Sequence, residues 1–273
     1  MSRLSAETLT IEGPDALAFA HSQLGSHVHE LAVGTWQWSV WLNPQGRVRA
    51  LLQLMHPREN TLLALLRGGS ADALAKAIAP YLMRAKATVT AHPVRTLADA
   101  APLPSGAMHA NDDALTLGMG DYAMCIVPAS DDVPQDWRRH AIEAGHPWLP
   151  DNTLDRLLAP ALRSGELGAT RLDKGCYPGQ EIVARLHYRG GCPQHLRRVQ
   201  SDAPLPAGCP LSVDGHNIGM VLDSVRSERH TVALAVIRDT TPAGEITARV
   251  GDTGENSRLV SALMPSSTKR TGD

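Results

Sequence analysis

Aromatic side chains are scarce in this 273-residue chain, at 4% of the sequence, and they are unevenly shared, with one Phe against five Trp and four Tyr. An excess of either charge is missing as well. The 26 Lys and Arg face 28 Asp and Glu, a net charge of −2, which gives no electrostatic footprint for nucleic acid or an anionic membrane. Direct, tight nucleic-acid binding is therefore not expected. No apolar run of about 18 residues is present to span a bilayer, and the first residues carry no apolar secretory core. The expectation is a cytoplasmic chain with no membrane contact. Its four cysteines, Cys125, Cys176, Cys192 and Cys209, form no C-x-x-C pair and have no histidine at zinc-ligand spacing, which argues against a preformed metal or cluster site. In that compartment they stay reduced. What remains is ordinary for a globular protein, 43% hydrophobic and 20% charged residues, on a length that supports a sizeable core and two domains.

The stretch Lys174-Gly175-Cys176-Tyr177-Pro178-Gly179-Gln180-Glu181 gathers a thiol, a cation, an amide, a carboxylate and two glycines into eight residues. Ile182 to Tyr188 read as a short helix, with Pro178 or Gly179 at its mouth and Gln180 and Glu181 in its first turn, where a carboxylate suits the positive end of the dipole. Cys176 then sits just ahead of a helix start and two residues from Lys174, an electropositive setting that raises the thiolate fraction. The glycines permit positive φ or close approach of the backbone to a ligand. A tight turn accounts for the same residues in another way, with Cys176 a small buried hydrophobe and Lys174 a solvated charge.

Elsewhere, Leu9 to Gly13 read as a strand and Pro14 to Gln23 as a helix closed by Gly25. Trp36 to Leu42 and Arg47 to Met55 pair around the turn Asn43-Pro44-Gln45-Gly46. Alternation places Trp36 and Trp38 on one face, as core. A strand at Thr61 to Leu66 precedes a helix from the N-cap Ser70 to Arg84. Strand-like pieces follow at Ala87 to Val94, Leu115 to Met119 and Ala123 to Val127, with a loop rich in Ala, Pro and Asp between them. After a polar turn at Asp131 to Asp136, Trp137 to Ala144 form a helix that Gly145 stops. Thr153 to Leu158 read as a short helix and Pro160 to Leu172 as irregular. Gly190-Gly191-Cys192-Pro193 marks a boundary. Beyond it six short strands, His195 to Ser201, Pro210 to Val213, Met220 to Val225, His230 to Ile237, Glu245 to Val250 and Leu259 to Leu263, are separated by turns such as Asp214-Gly215, Ser227-Glu228 and Pro242-Ala243-Gly244 and suggest a small closed barrel. Pro265 to Asp273 read as a polar, frayed tail. Hairpins alternating with helices give an α+β fold of antiparallel subdomains rather than a doubly wound parallel sheet.

The string KGCYPGQE, followed by IVAR and, after two residues, YRG, resembles the signature of the YgfZ family of folate-binding proteins, relatives of the aminomethyltransferase (T-protein) of the glycine cleavage system. The segment Trp137 to Pro147, with Ile142-Glu143-Ala144-Gly145-His146-Pro147, resembles the IEAG-x-P segment that the two groups share. Gln23 to Val28 resembles their Q-[LV]-T-x-D-V segment, with His27 where an acid usually stands. The hairpin resembles their N-x-x-G-[RK] turn, with Ala50 where the aminomethyltransferases carry a catalytic acid, so glycine-cleavage chemistry is not implied. Pro160-Ala161-Leu162-Arg163-Ser164 departs from a Pro-Gln-x-x-N-like string.

The resemblance implies an aminomethyltransferase-like region over residues 1–192, a C-terminal β-barrel over 193–265 and a flexible tail over 266–273. It implies tetrahydrofolate or a one-carbon derivative as cofactor. Glu143 would accept two parallel N–H bonds from the pterin edge and Trp137 would offer a stacking face. Cys176 would be the functional thiol with Lys174 as its activating cation. Tyr177, Gln180, Glu181 and Arg185 would position the loop about the cofactor, Arg185 pairing with Glu181 across one turn. The implied function is an accessory protein for assembly or maintenance of iron–sulfur clusters, with client enzymes, including radical enzymes that thiolate tRNA, or assembly proteins as partners. A folate-dependent one-carbon transferase with Cys176 as nucleophile is the alternative.

Overall fold

Alternation along the N-terminal strands sends their side chains into two opposite cores. The computed structural model describes residues 4–111, 113–130, 133–227, 230–251 and 256–264. Its first elements are β1 (Ser5–Ala6), β2 (Thr8–Glu12), α1 (Ala16–Gln23), β3 (Trp36–Leu42), β4 (Val48–Arg58), β5 (Thr61–Leu66), α2 (Ala71–Ile78) and β6 (Thr88–Ala91). An antiparallel sheet orders its strands β3-β4-β5-β2-β6. From β3, Trp36, Trp38, Val40 and Leu42 enter one core, whereas Trp41 joins Ala50, Leu52 and the residues of α1 and α2 in the other. The period of two expected for Trp36 and Trp38 is thus what the sheet uses.

The second sheet takes β7 (Arg95–Ala100), β8 (Met108–Ala110), β9 (Leu115–Gly118) and β10 (Ala123–Val127), in the order β1-β7-β10-β9-β8. The expected loop between Val94 and Leu115 therefore contains two strands. Arg95-Thr96-Leu97-Ala98-Asp99-Ala100 is weak in strand-forming residues, and its conformation comes from pairing with β10 on one side and β1 on the other. Then come α3 (Trp137–Ala144), closed by Gly145 at φ 75°, and α4 (Gln180–Arg189).

The helix expected at Thr153 to Leu158 does not form. A single 3₁₀ turn covers Asp151–Thr153. The chain then runs beside the β3–β4 hairpin, where the Asp155 N–H donates to the Val48 carbonyl, the Val48 N–H donates to the Leu157 carbonyl, and Arg47 bridges Leu158. Backbone pairing with a distant hairpin outcompetes a weak local helix. The helix from Ser70 is also shorter than expected, reaching Ile78 before a 3₁₀ turn at Ala79–Leu82. Its N-cap holds, with the Ser70 hydroxyl oxygen accepting from the Ala73 N–H.

The last strands, β11 (Gln194–Ser201), β12 (Pro210–Val213), β13 (His216–Arg226), β14 (Thr231–Arg238), β15 (Gly244–Val250) and β16 (Asn256–Leu263), close a barrel in the order β11-β14-β13-β12-β15-β16. All six expected strands are present. A bulge between Val221 and Asp223 in β13 accompanies a buried ion pair in which Arg138 of α3 meets the Asp223 carboxylate at 2.5 Å. Burial pushes the Asp223 pKa up. Glu228, Asp131, Asp132 and the tail Pro265 to Asp273 lie outside the described residues. Among the described residues no helix is long and apolar enough to cross a membrane, and no group of three His, Cys, Asp or Glu side chains is placed to hold a metal ion.

Candidate functional site

The octapeptide is fixed between two N-terminal elements. Gly179 caps α4 at φ 78°, and a Cβ there would stand 2.5 Å from the Asn43 carbonyl oxygen and 3.0 Å from Gly46 Cα. Gly46 in turn lies against Ile182, whose Cβ would be 2.8 Å from a side chain at that glycine. Hairpin tip and helix start meet backbone to backbone, which only glycine permits at these φ values. The helix begins where the sequence places it, with Glu181 in its first turn.

On its other flank the loop is held by Lys174. Its ammonium donates to the carbonyls of His21, Leu24 and Ser26, the latter two at 2.6 and 3.1 Å, satisfying oxygens at and just beyond the end of α1. The same nitrogen lies 5.1 Å from the Tyr177 ring centre. Burial draws the Lys174 pKa down to about 8. Lys174 is thus neither a solvated charge nor a donor to the Cys176 sulfur, because its three protons go to carbonyls. Cys176 itself is exposed, which removes the buried-hydrophobe reading. Tyr177 is buried, its hydroxyl without a hydrogen-bond partner among the described residues and its pKa raised to about 12 by burial. Gln180 reaches back to the Lys174 carbonyl at 3.4 Å. Glu181 and Arg185 are exposed, and no ion pair joins them.

Sequence reasoning singled out His27 but missed the histidine cluster it forms beside this clamp. The His21 ring stacks on His29 at 4.2 Å and meets His27 edge-on at 4.9 Å. Burial, then Lys174 and the two neighbouring histidines, lower the His21 pKa to about 4. Three histidines within nine residues were the available signal. His27, in the place of the family's acid, has its Nε2 3.6 Å from a Glu30 carboxylate oxygen.

The second signature is organised by a cation that sequence reasoning also missed. Arg67 is fully buried and makes no ion pair among the described residues. Its Nε donates to the Pro147 carbonyl at 3.2 Å, one terminal nitrogen to the His146 carbonyl at 3.0 Å, and the other to the Met124 sulfur at 3.5 Å. Three indoles surround it, Trp148 at 4.6 Å, Trp38 at 5.4 Å and Trp137 at 5.7 Å. Burial lowers its pKa. The Tyr122 hydroxyl and His146 Nδ1 are 2.6 Å apart. Burial and Arg67 hold the His146 pKa down near 3, and burial raises that of Tyr122.

Trp137 is 1% exposed and packs against Trp148 and Arg67. The expectation that it presents a stacking face to a cofactor is corrected: it is a core residue, with its backbone N–H held by Asp99 at 2.6 Å. Glu143 is exposed at the end of α3, its carboxylate without a hydrogen bond or ion pair among the described residues. The structure thus brings Lys174, Tyr177 and Gln180 together beside Cys176, and sets Glu143 on another element with no hydrogen bond linking it to the octapeptide. Ala50 is 2% exposed, opposite Trp41 in the helix-facing core, and gives the hairpin no acid at that position.

No family model matches the chain. It is 32% identical over 131 residues to the tRNA-modifying protein YgfZ of Escherichia coli, a match taking in 46% of this chain and 40% of that protein. It is 27% identical to the tRNA-modifying protein YgfZ of Edwardsiella ictaluri, across 95% of this chain and 90% of that one. The crystal structure of the glycine cleavage system aminomethyltransferase T from Bartonella henselae matches with a TM-score of 0.72 at 15% identity, covering 94% of this chain and 82% of that chain. Two antiparallel sheets and a closed barrel in this arrangement define an aminomethyltransferase-like fold. Within that class, the chain is similar to the YgfZ proteins along nearly its whole length, although it spans less than half of the Escherichia coli relative that it matches at 32% identity.

Proposed function

We propose that this chain binds tetrahydrofolate or a one-carbon derivative and acts as an accessory protein in tRNA modification, with Cys176 as its functional thiol. In the finer reading, it serves the assembly or maintenance of iron–sulfur clusters in client enzymes that thiolate tRNA. The observation that carries this is the Cys176 loop. An exposed thiol on a backbone clamped by Lys174 on one side and by Gly179 on the other is preorganised to meet a partner's cluster or thiol. The tRNA-modifying name of the Escherichia and Edwardsiella relatives supports the role. Glu143 supplies a free carboxylate for the pterin edge, whereas Trp137 contributes only packing. A one-carbon transferase is the weaker reading, since Ala50 leaves the hairpin without a carboxylate.

Tetrahydrofolate calorimetry tests the cofactor. Wild-type protein should bind, Glu143→Ala should lose about 1–3 kcal/mol, the cost of stranding a polar partner, and Cys176→Ser should bind normally. Absence of binding to the wild type would sink the folate reading. The thiol is tested separately: Cys176→Ser should fail to rescue a cell with a defect in a tRNA-thiolating iron–sulfur enzyme, and full rescue would leave the thiol without a role.

A further inference from the structure

Arg185 was expected to be neutralised by Glu181, and it is not. α4 buries only Val183 of its ten residues. At about 100° per residue, Glu181, Arg185, Tyr188 and Arg189 share the face opposite Val183. Neither Arg185 nor Arg189 makes an ion pair among the described residues. Tyr188 is 74% exposed, and the His187 ring meets it edge-on at 4.8 Å. Past the helix, Gly190 and Gly191 have nothing within 4 Å of where a Cβ would stand.

We infer that this face of α4 is an RNA contact, taking phosphates on Arg185 and Arg189 and stacking an unpaired base on Tyr188; the inference rests on the function proposed above, and makes tRNA itself the partner. Two unpaired guanidinium groups one turn apart, beside an exposed flat ring, match how single-stranded segments of RNA are held. A protein partner fits less well. The helix exposes Glu181, Arg185, His187, Tyr188 and Arg189, whereas Ile182 and Leu186 are half-buried, so this face offers no exposed aliphatic cluster for the core of a protein interface. A net charge of −2 supplies no long-range attraction for RNA, so the contact is local, and two phosphate contacts make it salt-sensitive. Glu181, the acid on this face, lies at the N-terminal turn, away from Arg189.

The test is fluorescence anisotropy of a labelled, unmodified tRNA transcript with the full chain at a series of salt concentrations. Wild-type protein should bind, and the double variant Arg185→Glu/Arg189→Glu should bind at least about tenfold more weakly. Its log-affinity against log-salt line should be shallower by about 1.4, two contacts at roughly 0.7 each. Tyr188→Ala should weaken binding at least about fivefold with the slope kept, and Tyr188→Phe should restore it. No wild-type binding, or equal binding by the variants, overturns the inference. So does binding of poly-glutamate, but not tRNA, through the same arginines, which would assign the face to an acidic protein. Tyr188→Ala/Arg189→Glu should melt and bind tetrahydrofolate as wild type does; loss of either would overturn a role confined to this face. Failure of the folate reading registers separately, as absence of tetrahydrofolate binding by the wild type.

Discussion

Lys174 and Arg67 do the same task in the two signature segments by different means. Each is a cation drawn out of water that makes no ion pair among the described residues, and each is spent mainly on backbone carbonyls. Lys174, an ammonium, gathers three oxygens from around the end of α1 and leans on one aromatic ring. Arg67, a flat guanidinium, bridges two consecutive carbonyls, His146 and Pro147, from inside a cage of three indoles. The geometry follows the chemistry: a compact point charge collects converging oxygens, whereas a planar fork stacks and bonds in its own plane. Both cations hold main chain, while Cys176 and Glu143, the candidates in the same two segments, are exposed and have no ion pair among the described residues. Charge has been used to fix the backbone, and the chemistry is left facing solvent.

The comparison breaks most sharply at Arg67. Arg67→Ala empties the space between three indoles and strands two carbonyls, and urea unfolding should show a loss of about 3–5 kcal/mol, as for large core truncations. Lys174→Met keeps most of the packing but strands the carbonyls that end α1. It should cost about 1–3 kcal/mol and speed amide exchange at Leu24 and Gly25.

The two histidines attached to these clamps sharpen the contrast through pH. Both have pKa values below the unfolded value of 6.5, about 4 for His21 and about 3 for His146. The unfolded chain therefore binds more protons in the window beneath 6.5. Their contribution is fully present above pH 6.5 and is lost as pH falls, toward about 4 for His21 and about 3 for His146. The slope is up to about 1.4 kcal/mol per pH unit for His146, and less for His21, which solvent partly screens. Denaturation midpoints measured from pH 7 to pH 4 should flatten in His146→Gln more than in His21→Gln. An unchanged slope in both would mean that neither ring is neutral in the folded protein. The smallest effects belong to the exposed pair: Glu143→Ala and Cys176→Ser should each leave stability within about 0.5 kcal/mol of wild type, so that any loss of function they cause is chemical.

Features that act within one turn were legible in the sequence. Gly145 stops α3, Gly179 opens α4, Ser70 caps α2, and the Asn43 to Gly46 turn sets a hairpin, because each depends on a residue's own backbone preference. The barrel strands were legible from their spacing. What could not be read depends on partners far along the chain. Arg67 looks like any arginine until its carbonyls, some 80 residues away, are in place. Trp137 looks like a stacking platform until Trp148 and Arg67 close over it. Strand β7 and the segment after Thr153 take their conformation from distant backbone pairing, against weak local signals. The pairing expected between Glu181 and Arg185 was a local rule that solvent exposure left unused, since such a pair is worth only a few tenths of a kcal/mol.

The Lys174 clamp also sets an order of events. Lys174 and the His21 carbonyl it holds are separated by 153 residues, so the contact closes only after most of the chain has been made and the hairpin has folded. Closing a loop of that length is entropically costly and comes late. A nascent chain thus carries α1 with open carbonyls at its end, and Cys176 reaches its fixed position only when the N-terminal layer is ready to receive it. Placement of the thiol thus waits on segments from both sides of it, α1 and the hairpin made long before and α4 made directly after.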